Sequence, residues 1–214
     1  SMLVGRWPGG APMARTPLLD DLAMGANRDA NDHFGFGAHS VTLPLTEGKD
    51  DNPPAQADPL GILCPVGSHI RKVNNRDAVN DRGGRRATFS RRILRRGLPF
   101  GPLLGGGGAP DPVAGNRGLL FVSYQTSISD QFEFLTSEWM GDSTNPGMPG
   151  GHDMVVGQNG QPGQSRERRC VVPRIDPSGL HLGEVHTTSD FVIPTGGGYF
   201  FSPSISAIRD VLGA

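Results

Sequence analysis

Gly118-Leu119-Leu120-Phe121-Val122-Ser123-Tyr124-Gln125, followed at once by Ser127 to Met140, is the strongest regular signal in the chain. The first run is short, continuously apolar and rich in β-formers, which predicts a buried strand. In the second, Ser127 or Ser129 can cap a helix, Asp130 and Glu133 suit its positive end, and Gly141 stops it. Ile128, Phe132, Leu135 and Trp139 fall at helical spacing. Working outward, Ser90 to Leu94 reads as a second strand ending at Gly97-Leu98-Pro99-Phe100-Gly101. The glycine-rich stretch Leu104 to Asn116 is then a turn between the two. Asn80 to Ser90 is polar, with Gly83-Gly84, and reads as an inserted loop. Cys170 to Val172 could form another strand, and Asp190 to Phe201 reads as two short strands around a glycine bend. Pro203 then opens a helix over Ser204 to Leu212. The pattern predicts an α+β fold: a ferredoxin-like antiparallel sheet with helices on one face and long Gly/Pro-rich loops.

Bulk composition agrees with a small core carrying long loops. Only 36% of the 214 residues are hydrophobic, against 32 glycines and 19 prolines. Residues 1–60 read as an irregular wrapping segment, with one weak helix near Leu18 to Met24 and an edge strand at Ser40 to Leu45. Residues 61–214 read as the domain proper. Cys64 and Cys170 make no disulfide framework. No apolar run reaches membrane-spanning length, and Ser1 to Trp7 lacks the build of a signal peptide, so no membrane partner is expected. Location is left open, since a targeting segment would precede Ser1. The glycines before Asn116 lack the following lysine of a phosphate-cradling loop.

Charge is distributed unevenly. The formal net charge is -1, yet 10 of the 20 Lys and Arg lie between Arg71 and Arg96, against Asp77 and Asp81 alone. Such a block needs an anionic partner. Nucleic acid fits poorly, because lysines and interleaved aromatics are scarce. Arginine is favoured where planar carboxylates are gripped two-pronged. A cofactor with two carboxylates satisfies both that bias and the imidazole of His69, which sits where the chain turns basic. Haem is such a cofactor.

Cys-Pro-x-Gly-Ser-His-Ile-Arg-Lys-x-Asn at Cys64 to Asn74 resembles the proximal haem segment of dye-decolourising (DyP-type) peroxidases. Ile93 to Gly101 resembles their distal arginine segment, and Gly118 to Gln125 with Gln131-Phe132-Glu133-Phe134 is similar to the strand and helix that follow. Thr195 to Ser204 resembles their closing motif, and Leu3 to Trp7 with Gly10-Ala11-Pro12 a segment upstream of the histidine. The likeness thus covers nearly the whole chain in family order.

The resemblance implies haem b (iron protoporphyrin IX) as cofactor, with His69 as the axial iron ligand. It implies an acidic acceptor for the other ring N–H, for which Asp153 in His152-Asp153-Met154-Val155-Val156-Gly157 is the candidate. Such a bond fixes the tautomer and strengthens the imidazole as a donor. Arg95 would stabilise charge on peroxide, Arg96 would be structural or bind a propionate, Leu119 and Phe121 would line the distal pocket or simply serve the core, and Arg71 or Arg76 would hold the propionates. Hydrogen peroxide and a bulky organic reductant, such as a dye or phenol, are the implied partners. Release of iron from haem is a related family role, and an oligomer of identical chains is compatible with the residues.

Two departures matter. The family's distal aspartate stands in Gly-x-x-Asp-Gly ahead of the proximal histidine, and this sequence contains no Asp-Gly pair. Its second, N-terminal ferredoxin-like domain has no counterpart either. Residues 61–214 are therefore expected to be the C-terminal haem-binding domain of a peroxidase, with the aspartate supplied by an N-terminal domain or chain. The alternative is a haem-binding or assembly module without full peroxidase activity.

Overall fold

A computed structural model of the protein describes residues 1–37, 56–102, 117–146, 150–158 and 166–213. The architecture is α+β with antiparallel strands. Three short helices come first: α1 (Leu22–Ala26), α2 (His69–Val73) and α3 (Arg85–Ser90). Strands β1 (Leu94–Phe100) and β2 (Gly118–Tyr124) pair antiparallel, and Ile128–Glu133 with Leu135–Met140 continues as a wide, π-type helix. β3 (Arg168–Asp176) and β4 (Gly179–Thr187) form a second antiparallel ribbon, and a helical stretch over Ile205–Ala207 and Ile208–Leu212 closes the chain. The expected edge strand at Ser40 to Leu45 and the turn at Leu104 to Asn116 lie outside the described residues.

Three apolar clusters hold these pieces. Met13, Ala14, Phe34 and Phe36 pack with Cys64 and Ala78, so the first 60 residues contribute core directly beneath α2. Met154, Cys170 and Val172 form a second cluster with Leu3 and Val185. Phe134, Leu135 and Trp139 form the third; of the four residues at the expected helical spacing Leu135 and Trp139 are buried, while Ile128 and Phe132 are half-buried. Ser127 caps that helix by accepting the N–H of Asp130 (3.1 Å). Trp139 is 0% exposed, lies 5.1 Å from the Phe134 ring and donates its indole N–H to Asp81 (2.9 Å). Trp139→Ala is expected to lower stability by about 3–5 kcal/mol, read as a fall in the denaturant midpoint.

Four expectations need correction. Asn80 to Ser90 is not all loop: α3 forms there because Asn80 accepts the N–H of Arg82 (2.9 Å) and donates to the buried Thr88 hydroxyl (2.8 Å). The strand expected at Ser90 to Leu94 starts at Leu94 and runs on to Phe100, and Pro99 is tolerated because β1 is an edge. Asp190 to Phe201 forms no strand; it has no pairing partner among the described residues, and Phe200 is 89% exposed. Finally, β2 is not buried. Leu119, Leu120 and Tyr124 are more than half exposed, because no third strand or covering layer among the described residues closes either face of the ribbon.

Candidate functional site

Asp58 builds the loop that presents His69. Its buried carboxylate accepts the N–H groups of Ile62 (2.7 Å), Leu63 (3.1 Å) and Cys64 (2.8 Å), plus Arg71 Nη1 (3.1 Å). Arg71 also donates to the carbonyls of Cys64 (2.9 Å) and Pro59 (3.2 Å) and stacks over Phe36. Leu3 and Val4 receive the N–H groups of His69 (2.9 Å) and Ile70 (3.1 Å), which pins the start of α2. Gly67 lets this loop meet its neighbour: a Cβ there would lie 2.4 Å from the Gly150 carbonyl and 2.6 Å from Cys170 Sγ.

The neighbouring segment carries Asp153. It is held at one end by Asp153 N–H donating to Met140 O (3.1 Å) and at the other by His152 N–H on Arg169 O (2.6 Å). Asp153 is 0% exposed; Oδ1 accepts Val155 N–H (2.9 Å) and Val156 N–H (3.1 Å), while Oδ2 lies 2.7 Å from His69 Nδ1. An ionised carboxylate only accepts, so Nδ1 carries the proton and the lone pair sits on Nε2. The His69 side chain is 28% exposed, so the ring is held from behind with an edge left accessible.

Burial raises the Cys64 thiol to about 11 and the Cys170 thiol to about 12. Both stay protonated at neutral pH and are poor metal donors. Among the described residues no three His, Cys, Asp or Glu side chains gather as a metal cage.

The register of β1 and β2 sorts the remaining candidates. Arg95 faces Ser123, Gly97 faces Phe121 and Pro99 faces Leu119, so Arg95, Leu119 and Phe121 share one face of the ribbon. Arg96 points to the opposite face. Phe121 lies 6.3 Å from Phe132 of the following helix, yet Leu119 and Phe121 stay 58% and 42% exposed.

The two arginines expected at propionates fare differently. Arg71 is buried and its terminal guanidinium nitrogens bind Asp58, Cys64 and Pro59, so it scaffolds the loop. Arg76 binds Asp32 (2.5 Å) and the Phe34 carbonyl (3.1 Å), and stacks on the Phe34 ring. Arg6 also reaches Asp32 (3.4 Å). Burial lowers the pKa of Arg6, and the nearby charges of Arg76 and Arg95 lower it further. Burial likewise lowers that of Arg76, with a contribution from Arg92. Arg6 and Arg76 thus share the Asp32 carboxylate, with Arg95 close enough to influence Arg6 and Arg92 close enough to influence Arg76. The sequence reading missed Arg6 in this role, since it stands 65 places ahead of Arg71; the string Leu3 to Trp7 was its only signal. Asp58, which organises the loop, carried no signal of its own. No described helix is long and apolar enough to cross a membrane.

Residues 45–147 match the family model for Dyp-type peroxidase, C-terminal. Dye-decolorizing peroxidase msp1 of Mycetinis scorodonius is 36% identical over 98% of this chain. The chain spans 38% of that relative's length. Among solved structures, a dye-decolorizing peroxidase complexed with 2,6-dimethoxyphenol aligns over 100% of this chain and 42% of its own, with TM-score 0.66 and 28% identity. Another, solved while engineering the heme pocket of a dye-decolorizing peroxidase for asymmetric sulfoxidation, aligns over 100% and 44% with TM-score 0.66 and 30% identity. Sequence, local geometry and overall shape all lead to one assignment: the chain belongs to the Dyp-type peroxidase family, and what it matches there is the C-terminal part.

Proposed function

We propose that this chain is the haem-binding portion of a peroxidase that uses hydrogen peroxide to oxidise bulky organic reductants such as dyes and phenols. The observation that carries the reading is the 2.7 Å bond between His69 Nδ1 and the buried Asp153 carboxylate. It leaves Nε2 as the donor for iron and makes the ring more basic, as a carboxylate partner does for metal-bound histidines generally. Haem b, when bound, would supply the redox chemistry linking peroxide to the reductant. The protein's own groups hold and shield it. Arg6, Arg76 and Arg92 offer charge to the propionates, while Leu119 and Phe121 present an apolar wall that keeps water away. Arg95, on the same face as that wall, is placed to stabilise negative charge on peroxide oxygen.

The proton-handling acid is the part this sequence lacks. Gly-x-x-Asp-Gly is absent, and the relatives extend well beyond the stretch this chain matches. We therefore assign residues 61–214 to haem binding and the distal aspartate to polypeptide outside the chain. The face of the β1–β2 ribbon opposite Leu119 and Phe121, where Leu94, Leu98, Phe100 and Leu120 are exposed, is where such polypeptide would pack. It also favours the second reading, a haem-binding or assembly module with little turnover of its own. Dye oxidation by the haemin-loaded chain, alone and mixed with a relative's N-terminal region, separates the two. Turnover is expected to rise by about 10²–10⁴ on mixing, the usual contribution of a positioned acid–base group. Equal rates with and without the added polypeptide would overturn the division of labour.

A further inference from the structure

We infer that Lys72 is a positioning residue for the His69–Asp153 pair, clasping the helix that carries the imidazole to the segment that carries the carboxylate. Lys72 is 0% exposed, an extreme rarely met by lysine without a dedicated role. An ammonium has three donors, and here each has a backbone carbonyl: Asp142 (2.7 Å), Gly151 (2.9 Å) and Asn145. All three acceptors belong to the stretch between Met140 and Asp153, and Gly151 stands two places before the carboxylate. On α2, His69 and Lys72 are three residues apart and so share a face. One turn of helix therefore touches the same segment twice, through imidazole on Asp153 and through ammonium on the carbonyls ahead of it.

The clasp does something the cores beside it cannot. Apolar packing is non-directional, whereas three N–H···O bonds converging on one atom fix that atom in all directions. With Gly67 allowing close approach and Lys72 fixing the segment's path, the His69–Asp153 separation is set before any cofactor arrives. Charge supports the same arrangement. Burial drives the Lys72 pKa down to about 8, and the field of Asp153 opposes that shift. The inference concerns the apo pair and does not depend on the peroxidase reading.

The test uses the whole chain without haem. A hydrogen-bonded imidazole Nδ1–H gives a downfield proton resonance, assigned to His69 by its disappearance in His69→Ala. Lys72→Met is expected to lose or broaden that resonance and, on adding haemin, to weaken binding by about 10–100-fold, the range for groups that orient a metal ligand. Lys72→Arg, which keeps donors and charge, is expected to restore most of both. A folded Lys72→Met with wild-type resonance and affinity would overturn the assignment. Where Lys72→Met does not fold, Lys72→Gln, which keeps two donors without charge, decides: a weakened resonance supports the clasp and an unchanged one sinks it. Haemin failing to bind the wild type would instead count against the proposed function, leaving the proton resonance to judge Lys72.

Discussion

His69→Ala is expected to abolish the imidazole-dependent Soret band of the haemin-loaded chain and to weaken haemin binding by more than about 100-fold. The size follows from what the substitution removes. Disturbing a group behind a metal ligand typically costs about 10–100-fold in affinity, and deleting the ligand must exceed that. It also strands Asp153, a buried carboxylate left with only the N–H groups of Val155 and Val156 as partners. Asp153→Asn makes the graded comparison, because it keeps the shape while withdrawing the charge; its loss should stay inside the outer-group range. Spectra and titrations of the three proteins side by side check the series. Identical Soret bands from wild type and His69→Ala would remove His69 from the site.

A stability effect as large as that of Trp139→Ala is expected at Asp58. Asp58→Ala deletes four hydrogen bonds at once and leaves the Arg71 guanidinium buried without its counter-ion. Breaking a buried pair from one side costs about 3–5 kcal/mol, a large share of the roughly 5–15 kcal/mol by which domains are stable. Denaturant unfolding measures it directly. The double change Asp58→Leu with Arg71→Met is expected to recover only part of the loss. It removes the unpaired charge, but the N–H groups of Ile62, Leu63 and Cys64 stay without an acceptor. Full recovery would mean that the ion pair, and not the loop it ties, is what Asp58 contributes.

How much of this was legible in the sequence depends on the range of the forces involved. The apolar run of β2 and the helical spacing of Ile128 to Trp139 are local, and both elements formed where the pattern put them. Burial is not local. The same apolar run signals a strand with covered faces, yet whether anything covers Leu119 and Leu120 is settled by what packs on them. α3 escaped notice because its residues are polar and its start is stabilised from Asn80, outside the helix. β4 escaped because glycines and histidines interrupt its alternation, although Asp176-Pro177-Ser178-Gly179 is a sound turn signal that could have revealed the hairpin. In the site, the strings around His69 and Asp153 named two residues 84 positions apart, and only the fold brings them within 2.7 Å. Arg71 illustrates the converse. A charge count treats it as one cation among ten, whereas its partner Asp58 stands 13 residues upstream and ties it into the loop.

The uncovered ribbon has a further consequence, for how such a chain fares once synthesised. Among the described residues β1 has an edge with no strand paired to it, flanked by leucines and phenylalanines on both sides, a template onto which another strand can add. Made alone, the polypeptide is a client for chaperones and prone to stick to its own kind, so its yield in a cell is governed by how soon that edge finds its proper cover.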